Sequence, residues 1–110
     1  MAAVSTPEIH VRRIASYCAG RVPNHLRDQV QVVHNVRGSA VTIIETRPPW
    51  DGSDGEWTRR PIAQLRYDRR RWRLWWPDRR NRWHAVDAPA AHSPDPLLEI
   101  LDDPTRAPFW

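Results

Sequence analysis

The chain of 110 residues has no lysine, one cysteine, one methionine, one phenylalanine and four glycines. Each scarcity excludes something. A lone thiol, Cys18, rules out an internal disulfide and suits a reducing compartment, so a cytoplasmic location is expected. No window approaches about 18 consecutive apolar residues, so no transmembrane helix and no membrane partner are expected. The start, M-A-A-V-S-T-P-E-I-H-V-R-R, lacks the apolar run of a signal peptide. The few glycines build no phosphate-cradling loop, which leaves nucleotide hydrolysis without support. His10, His25, His34, His84 and His92 are scattered without ligand spacing, so no metal and no other cofactor is expected. Aliphatic residues are scarce as well: Leu, Ile, Val and Phe make 22 of the 110, at the edge of a disordered composition.

Seven tryptophans offset that shortage and bring the bulky apolar count to 29, enough for one modest core in a single domain. All 17 basic residues are arginine. A GC-rich genome explains the residue type but not its placement. Residues 59–82 hold ten Arg against Asp68 and Asp78, a net +8, whereas the remainder holds seven Arg against eleven acids, a net −4. A concentrated positive field steers anionic partners more than net charge does.

Periodicity supplies the elements. Residues 5–19 read as a helix, with Ser5 as N-cap, Glu8 at capping-box spacing, and Val11, Ile14, Ala15 and Cys18 on one apolar face. Gly20 is its expected stop, with Pro23 beyond. Residues 24–28 read as a turn or a short helical piece. From Gln29 the period becomes two, with Val30, Val32, His34 and Val36 on one face; Arg37-Gly38 and then A-V-T-I-I-E-T complete a hairpin. His34 is expected to be a partly buried, satisfied histidine. Arg47-Pro48-Pro49 ends that strand, and residues 50–58 form a loop bounded by Trp50 and Trp57. Three short strands follow at 62–67, 71–76 and 82–86. The first sets Ala63, Leu65 and Tyr67 against Ile62, Gln64 and Arg66; the second sets Trp72, Leu74 and Trp76 against Arg71, Arg73 and Trp75. Short connectors imply an antiparallel meander. An Ala/Pro-rich strap at 87–96 leads to a short helix capped by Asp95 and ended by Pro104. The expected fold class is α+β: an N-terminal helix, an antiparallel meander sheet of about five strands and a short C-terminal helix in one domain, 1–110.

Glu45-x-Arg47-Pro48-Pro49-Trp50, Glu56-Trp57, Gln64-Leu65-Arg66-Tyr67, Trp72-x-Leu74-x-Trp76, Arg82-Trp83-His84 and the closing D-P-T…F-W form a distinctive series. From about Ile9 to Trp110 it resembles a bacterial family, domain of unknown function 3024. The resemblance implies a family and no activity. Relatives usually carry a glycine in the turn that here reads Asp68-Arg69-Arg70, so a site built on those arginines is a trait of this chain.

The interleaved Arg and Trp of residues 66–84 are the leading candidate site. Arg binds phosphate through bidentate, charge-assisted hydrogen bonds, and bases stack on aromatic rings. Arg69, Arg70, Arg71, Arg73, Arg79, Arg80 and Arg82 are the expected phosphate contacts, and Trp75 is the stacking candidate because it shares a face with Arg71 and Arg73. The expected function is non-catalytic binding of RNA or DNA. The bland alternative is that alternation merely sorts Trp into the core and Arg into water, with Arg–Trp stacking as ordinary surface packing. Two further readings compete. One is a protein-interaction module, for an acidic partner or for self-association through a sheet edge. The other is a small toxin-like ribonuclease, which requires Glu45, Arg66 and His84 to converge. Against it, Glu45 and Arg47 lie at i and i+2 on one strand face, where a structural salt bridge beside the prolines accounts for them. Cys18, Phe109 and Trp110 are expected to pack.

Overall fold

A computed structural model describes residues 6–106 and 109–110. The fold is α+β: helix α1 (Glu8–Arg21), a 3₁₀ turn (Asn24–Leu26), strands β1 (Gln31–Arg37), β2 (Ala40–Arg47), β3 (Thr58–Asp68), β4 (Arg71–Pro77) and β5 (Trp83–Ala85), then helix α2 (Asp95–Asp102). The strands pair antiparallel in chain order, β1-β2-β3-β4-β5. Among the described residues, no helix is long and apolar enough to cross a membrane.

Helix α1 begins at Glu8, with Pro7 in the N-cap position and no side-chain cap. The expected cap, Ser5, lies outside the described residues. The helix also runs through Gly20 to Arg21. It stops where Pro23 forces the preceding Val22 into extended backbone, φ −115° and ψ 126°. The Arg27 guanidinium donates to the Ala19 carbonyl at 2.8 Å, satisfying one of the orphan acceptors of the last turn. At α2, Asp95 is the first helical residue rather than the cap; Pro94 precedes it, and the Asp95 carboxylate accepts from Arg13 Nε of α1 at 2.6 Å. Tyr17 donates its hydroxyl to Asp102 at 2.7 Å, a second tie between the helices. Burial and then that hydrogen bond raise the Tyr17 phenol above its ordinary range.

Strand β1 starts two residues later than its alternation suggests, because the Gln29 and Val30 N–H groups are taken by the Leu26 carbonyl. Strand β3 is longer than the predicted 62–67 and contains Pro61, which the reading of 50–58 as a loop did not extend through. A bulge makes this possible: Ile43 faces Ala63 while Ile44 faces Pro61, leaving Ile62 as the extra residue. Ile62 therefore turns into the core at 2% exposure, instead of joining Gln64 and Arg66 outside. Strand β5 keeps only three of its five expected residues. The strap after it bonds to β4: the Trp72 N–H donates to the Ala91 carbonyl at 2.6 Å and the Ala91 N–H donates back at 2.9 Å.

Both helices cover one face of the sheet. Ile14 and Cys18 of α1, Leu97, Leu98 and Leu101 of α2, and Phe109 meet Val41, Ile43, Leu65, Trp72 and Leu74 in one cluster. Fully buried Trp72 donates its indole N–H to His10 Nδ1 at 2.9 Å. Trp110 donates to the Leu101 carbonyl, and the Arg21 guanidinium lies 4.3 Å over its ring, so the last two residues pack as expected. Cys18 is buried, which pushes its thiol up to about 12. His34 is exposed, contrary to expectation: of its face on β1, only Val32 joins the buried cluster under the helices.

Candidate functional site

The second face of the sheet lies away from both helices. Its residues follow from the register. Arg37 pairs with Ala40, Ala40 with Arg66, and Arg66 with Arg73, so one cross-strand row carries three arginines on four strands. The next row reads Asn35, Thr42, Gln64, Trp75 and Ala85. Neighbouring strands stand about 4.8 Å apart, so Arg66 and Arg73 are adjacent and Arg37 is roughly 10 Å from Arg66. Arg71 shares this face, opposite Asp68 in register.

Among the described residues, no carboxylate lies within ion-pair distance of Arg37, Arg66, Arg69, Arg70, Arg71 or Arg73. Like charges set directly opposite oppose folding. Arg66 relieves part of that repulsion by leaning on its neighbours. Its guanidinium lies 4.0 Å above the Trp75 ring, and its Nε donates to Gln64 Oε1 at 2.7 Å. Gln64 in turn donates to Thr42 Oγ1 at 2.9 Å. The chain of contacts holds one cation in place while leaving its remaining N–H groups without a protein carboxylate.

Trp75 sits on the expected face beside Arg71 and Arg73, but it is half-buried and covered by Arg66, and its indole N–H is buried without a partner. The stacking element is therefore the Arg66–Trp75 pair rather than a bare ring. Arg69 and Arg70 form the tip of the β3–β4 turn, both with positive φ, 52° and 64°. Two residues at positive φ between paired strands make a type I′ turn, which favours Asn-Gly and costs each arginine on the order of 1 kcal/mol.

Arg79, Arg80 and Arg82 are not part of that group. They lie in the β4–β5 connection, roughly 20 Å along the strand from Arg71. There Asp78 organises the loop: its Oδ1 accepts from the Arg80 and Arg82 N–H groups at 2.8 and 3.0 Å, and its Oδ2 meets His84 Nε2 at 2.8 Å. The His84 hydrogen bond, with the Arg82 and Arg80 N–H groups, brings the Asp78 carboxyl down to about 2. The site expected as one stretch is thus two clusters at opposite ends of β4.

Glu45, Arg66 and His84 do not converge. Glu45 accepts from Arg47 at 3.1 Å and Arg60 at 3.3 Å, the expected salt bridge with one arginine added. Burial would raise its carboxyl, but the two guanidinium donors outweigh burial and hold it below the usual carboxylate range. Arg66 is on the opposite face, and His84 stacks on Trp76 with ring centroids 4.6 Å apart. Among the described residues, no three His, Cys, Asp or Glu side chains gather as a metal set.

The sequence reading missed Arg37 and Arg66 as members of the arginine face. Arg66 was legible: a two-residue turn at Arg69-Arg70 sets it opposite Arg73. Arg37 was not, because its row depends on the Ile62 bulge. It also missed Trp50, which stands 98% exposed on a tight turn closed by the Gly52 N–H and the Pro49 carbonyl.

The family model described as Domain of unknown function (DUF3024) matches residues 1–110. No curated protein and no solved structure matches the chain.

Proposed function

The chain belongs to the DUF3024 family, and we propose that it is a non-catalytic binder of single-stranded RNA or DNA, using the open sheet face. The observation that carries this reading is the in-register row of Arg37, Arg66 and Arg73, free of carboxylate partners on the face opposite both helices. Charge gathered at a cost to the fold suits an anion that neutralises it. Phosphates bridge Arg71, Arg73 and Arg37, with the turn arginines Arg69 and Arg70 reaching beyond the sheet. A base stacks on the Arg66 guanidinium plane, which the Trp75 ring supports from below. Arg79, Arg80 and Arg82 form a second electrostatic contact for a strand long enough to follow β4. A flat face with a stacking platform favours unpaired strands, whose bases are accessible, over a duplex.

The test is fluorescence anisotropy of a labelled single-stranded RNA, a single-stranded DNA and a DNA duplex at several salt concentrations. Each phosphate neutralised on a single strand adds about −0.7 to the slope of log K against log salt, so the expected outcome is steep weakening with salt. Flat titrations at low salt for all three ligands remove nucleic acid as the partner.

A second reading rests on Trp50. An indole with nearly its whole surface in water, next to Asp51, Asp54 and Glu56, has the make-up of an interface anchor for a basic protein. Under this reading, Trp50→Ala weakens capture of a basic protein partner and leaves RNA affinity unchanged. A cytoplasmic setting, proposed from the single buried thiol, suits either.

A further inference from the structure

We propose that the chain self-associates through β1, two copies joining their sheets edge to edge about a two-fold axis at His34. The two edges of the sheet differ. β5 has three residues, and the Ala/Pro-rich strap beyond it bonds to β4 at Ala91. β1 has seven residues in unbroken register with β2 and no partner on its other side among the described residues. It carries no proline and no bulge, and its one charged residue, Arg37, stands at the turn end.

The hairpin decides which groups are free. Gly38 and Ser39 form a two-residue turn, Gly38 having the φ of +59° that such a turn needs, so the closing pair Arg37–Ala40 is hydrogen-bonded. Bonding alternates along an antiparallel pair. The N–H and C=O groups of Arg37, Asn35 and Val33 therefore point to β2, and those of Val36, His34 and Val32 point outward. Among the described residues nothing else bonds to them.

One full-length register satisfies a second copy. With His34 opposite His34 of the second copy, Val32 faces Val36 and Val36 faces Val32, and the outward groups form about six ladder hydrogen bonds. Side chains match as well. Val36, 45% exposed in one copy, meets Val32 of the other, whose side is covered by α1. Arg37, the only full charge on the strand, meets Gln31 and not its own copy. A basic or acidic partner strand gains no complementary charge here, which favours the self-complementary occupant.

The two-fold axis runs perpendicular to the sheet, so both arginine faces end on the same side. The dimer stands independently of nucleic-acid binding. That it doubles the binding surface rests on the reading above.

The experiment is sedimentation equilibrium on the purified full chain, without nucleic acid, beside cysteine variants under mild oxidation. In the proposed register the His34 Cα atoms lie about 5.5 Å apart, inside the range that a disulfide spans. His34→Cys should give a covalent dimer and Arg37→Cys should not. Val36→Lys should weaken association about tenfold or more, because it brings an unpaired ammonium into the joined edge, with an unchanged circular dichroism spectrum. A monomer at every concentration overturns the proposal. So does a dimer in which Arg37→Cys cross-links as readily as His34→Cys. Loss of RNA binding in a variant that remains dimeric bears on the nucleic-acid reading alone.

Discussion

Trp72 and Trp75 lie three residues apart on β4, and they face opposite ways. Trp72 is fully buried, touches the Tyr67 ring at 5.0 Å between centroids, and gives its indole N–H to His10. Trp75 keeps part of its surface, is roofed by the Arg66 guanidinium, and leaves its buried N–H without an acceptor. The same residue type thus closes the core on one face and supports a cation on the other. The difference lies in what covers each ring. The buried cluster that includes both helices and Phe109 encloses the first, and the Arg66 guanidinium covers the second. A face built this way gives up stability: it carries an unsatisfied donor, opposed like charges and two arginines in left-handed backbone. These costs all fall near one surface.

The largest test of the comparison is truncation. Trp72→Ala should cost about 3–5 kcal/mol by urea denaturation, since a large cavity opens in the core beneath the helices. In a domain of this size that threatens folding itself. Trp75→Ala should cost much less and should weaken RNA binding, a separation that anisotropy and denaturation read independently. If both changes cost the same, the two faces are equivalent packing surfaces and the contrast fails.

Next in size is charge reversal. Arg66→Glu with Arg73→Glu should lower affinity for single-stranded RNA more than tenfold and flatten the salt slope, because one phosphate contact becomes repulsive and the stacking cation is lost. Stability should fall by about 1 kcal/mol, since one repulsive pair replaces another but the Arg66 stack on Trp75 is lost. Reversing Arg79 and Arg80 in the same assay should have the smaller effect if the open face is the main contact.

A smaller effect comes from the turn. Replacing Arg69-Arg70 by Asn-Gly should raise stability by about 0.5–1 kcal/mol in thermal unfolding, as the left-handed backbone loses its strain. It should also weaken RNA binding modestly. Gain in one measurement with loss in the other would show strain retained for contact.

The smallest concerns Asp78, at the far end of β4. Its folded pKa, about 2, lies below the ordinary value of 3.8, so the hydrogen bonds it accepts stabilise the fold fully above the ordinary value. That contribution fades as pH falls from about 4 through 2. The carboxyl carbon shift in NMR should titrate with a midpoint near the lower figure, and the Arg80 and Arg82 amides should move with it.

Most of the architecture was legible because alternation and turn chemistry are local. The Val32, His34 and Val36 face, a glycine turn between β1 and β2 (one residue later than Arg37-Gly38, at Gly38-Ser39), the split of Trp72 from Trp75, and the meander all follow from side-chain period and short connectors. The misses have one character. Ile62 was placed outside because strict alternation has no room for a bulge, and Pro61 hid the start of β3. His34 was placed inside because its apolar neighbours suggested cover that the short helix layer does not extend to. Arg79, Arg80 and Arg82 are close to Arg69–Arg73 in sequence but not in space, because the extended strand β4 separates its two ends.

What this sequence determined by itself is which residues alternate, where the chain turns, and that positive charge concentrates between residues 59 and 82. Those are properties of neighbouring residues, set by backbone geometry and solvation. The company each side chain keeps is set by the packed fold alone. Arg37 joined Arg66 and Arg73 through a register that passes across a bulge, Arg66 came to rest on Trp75, and the helices chose one face and left the other open. The physical reason is that pairing between strands and the stacking of layers depend on contacts among distant segments, which no local pattern encodes.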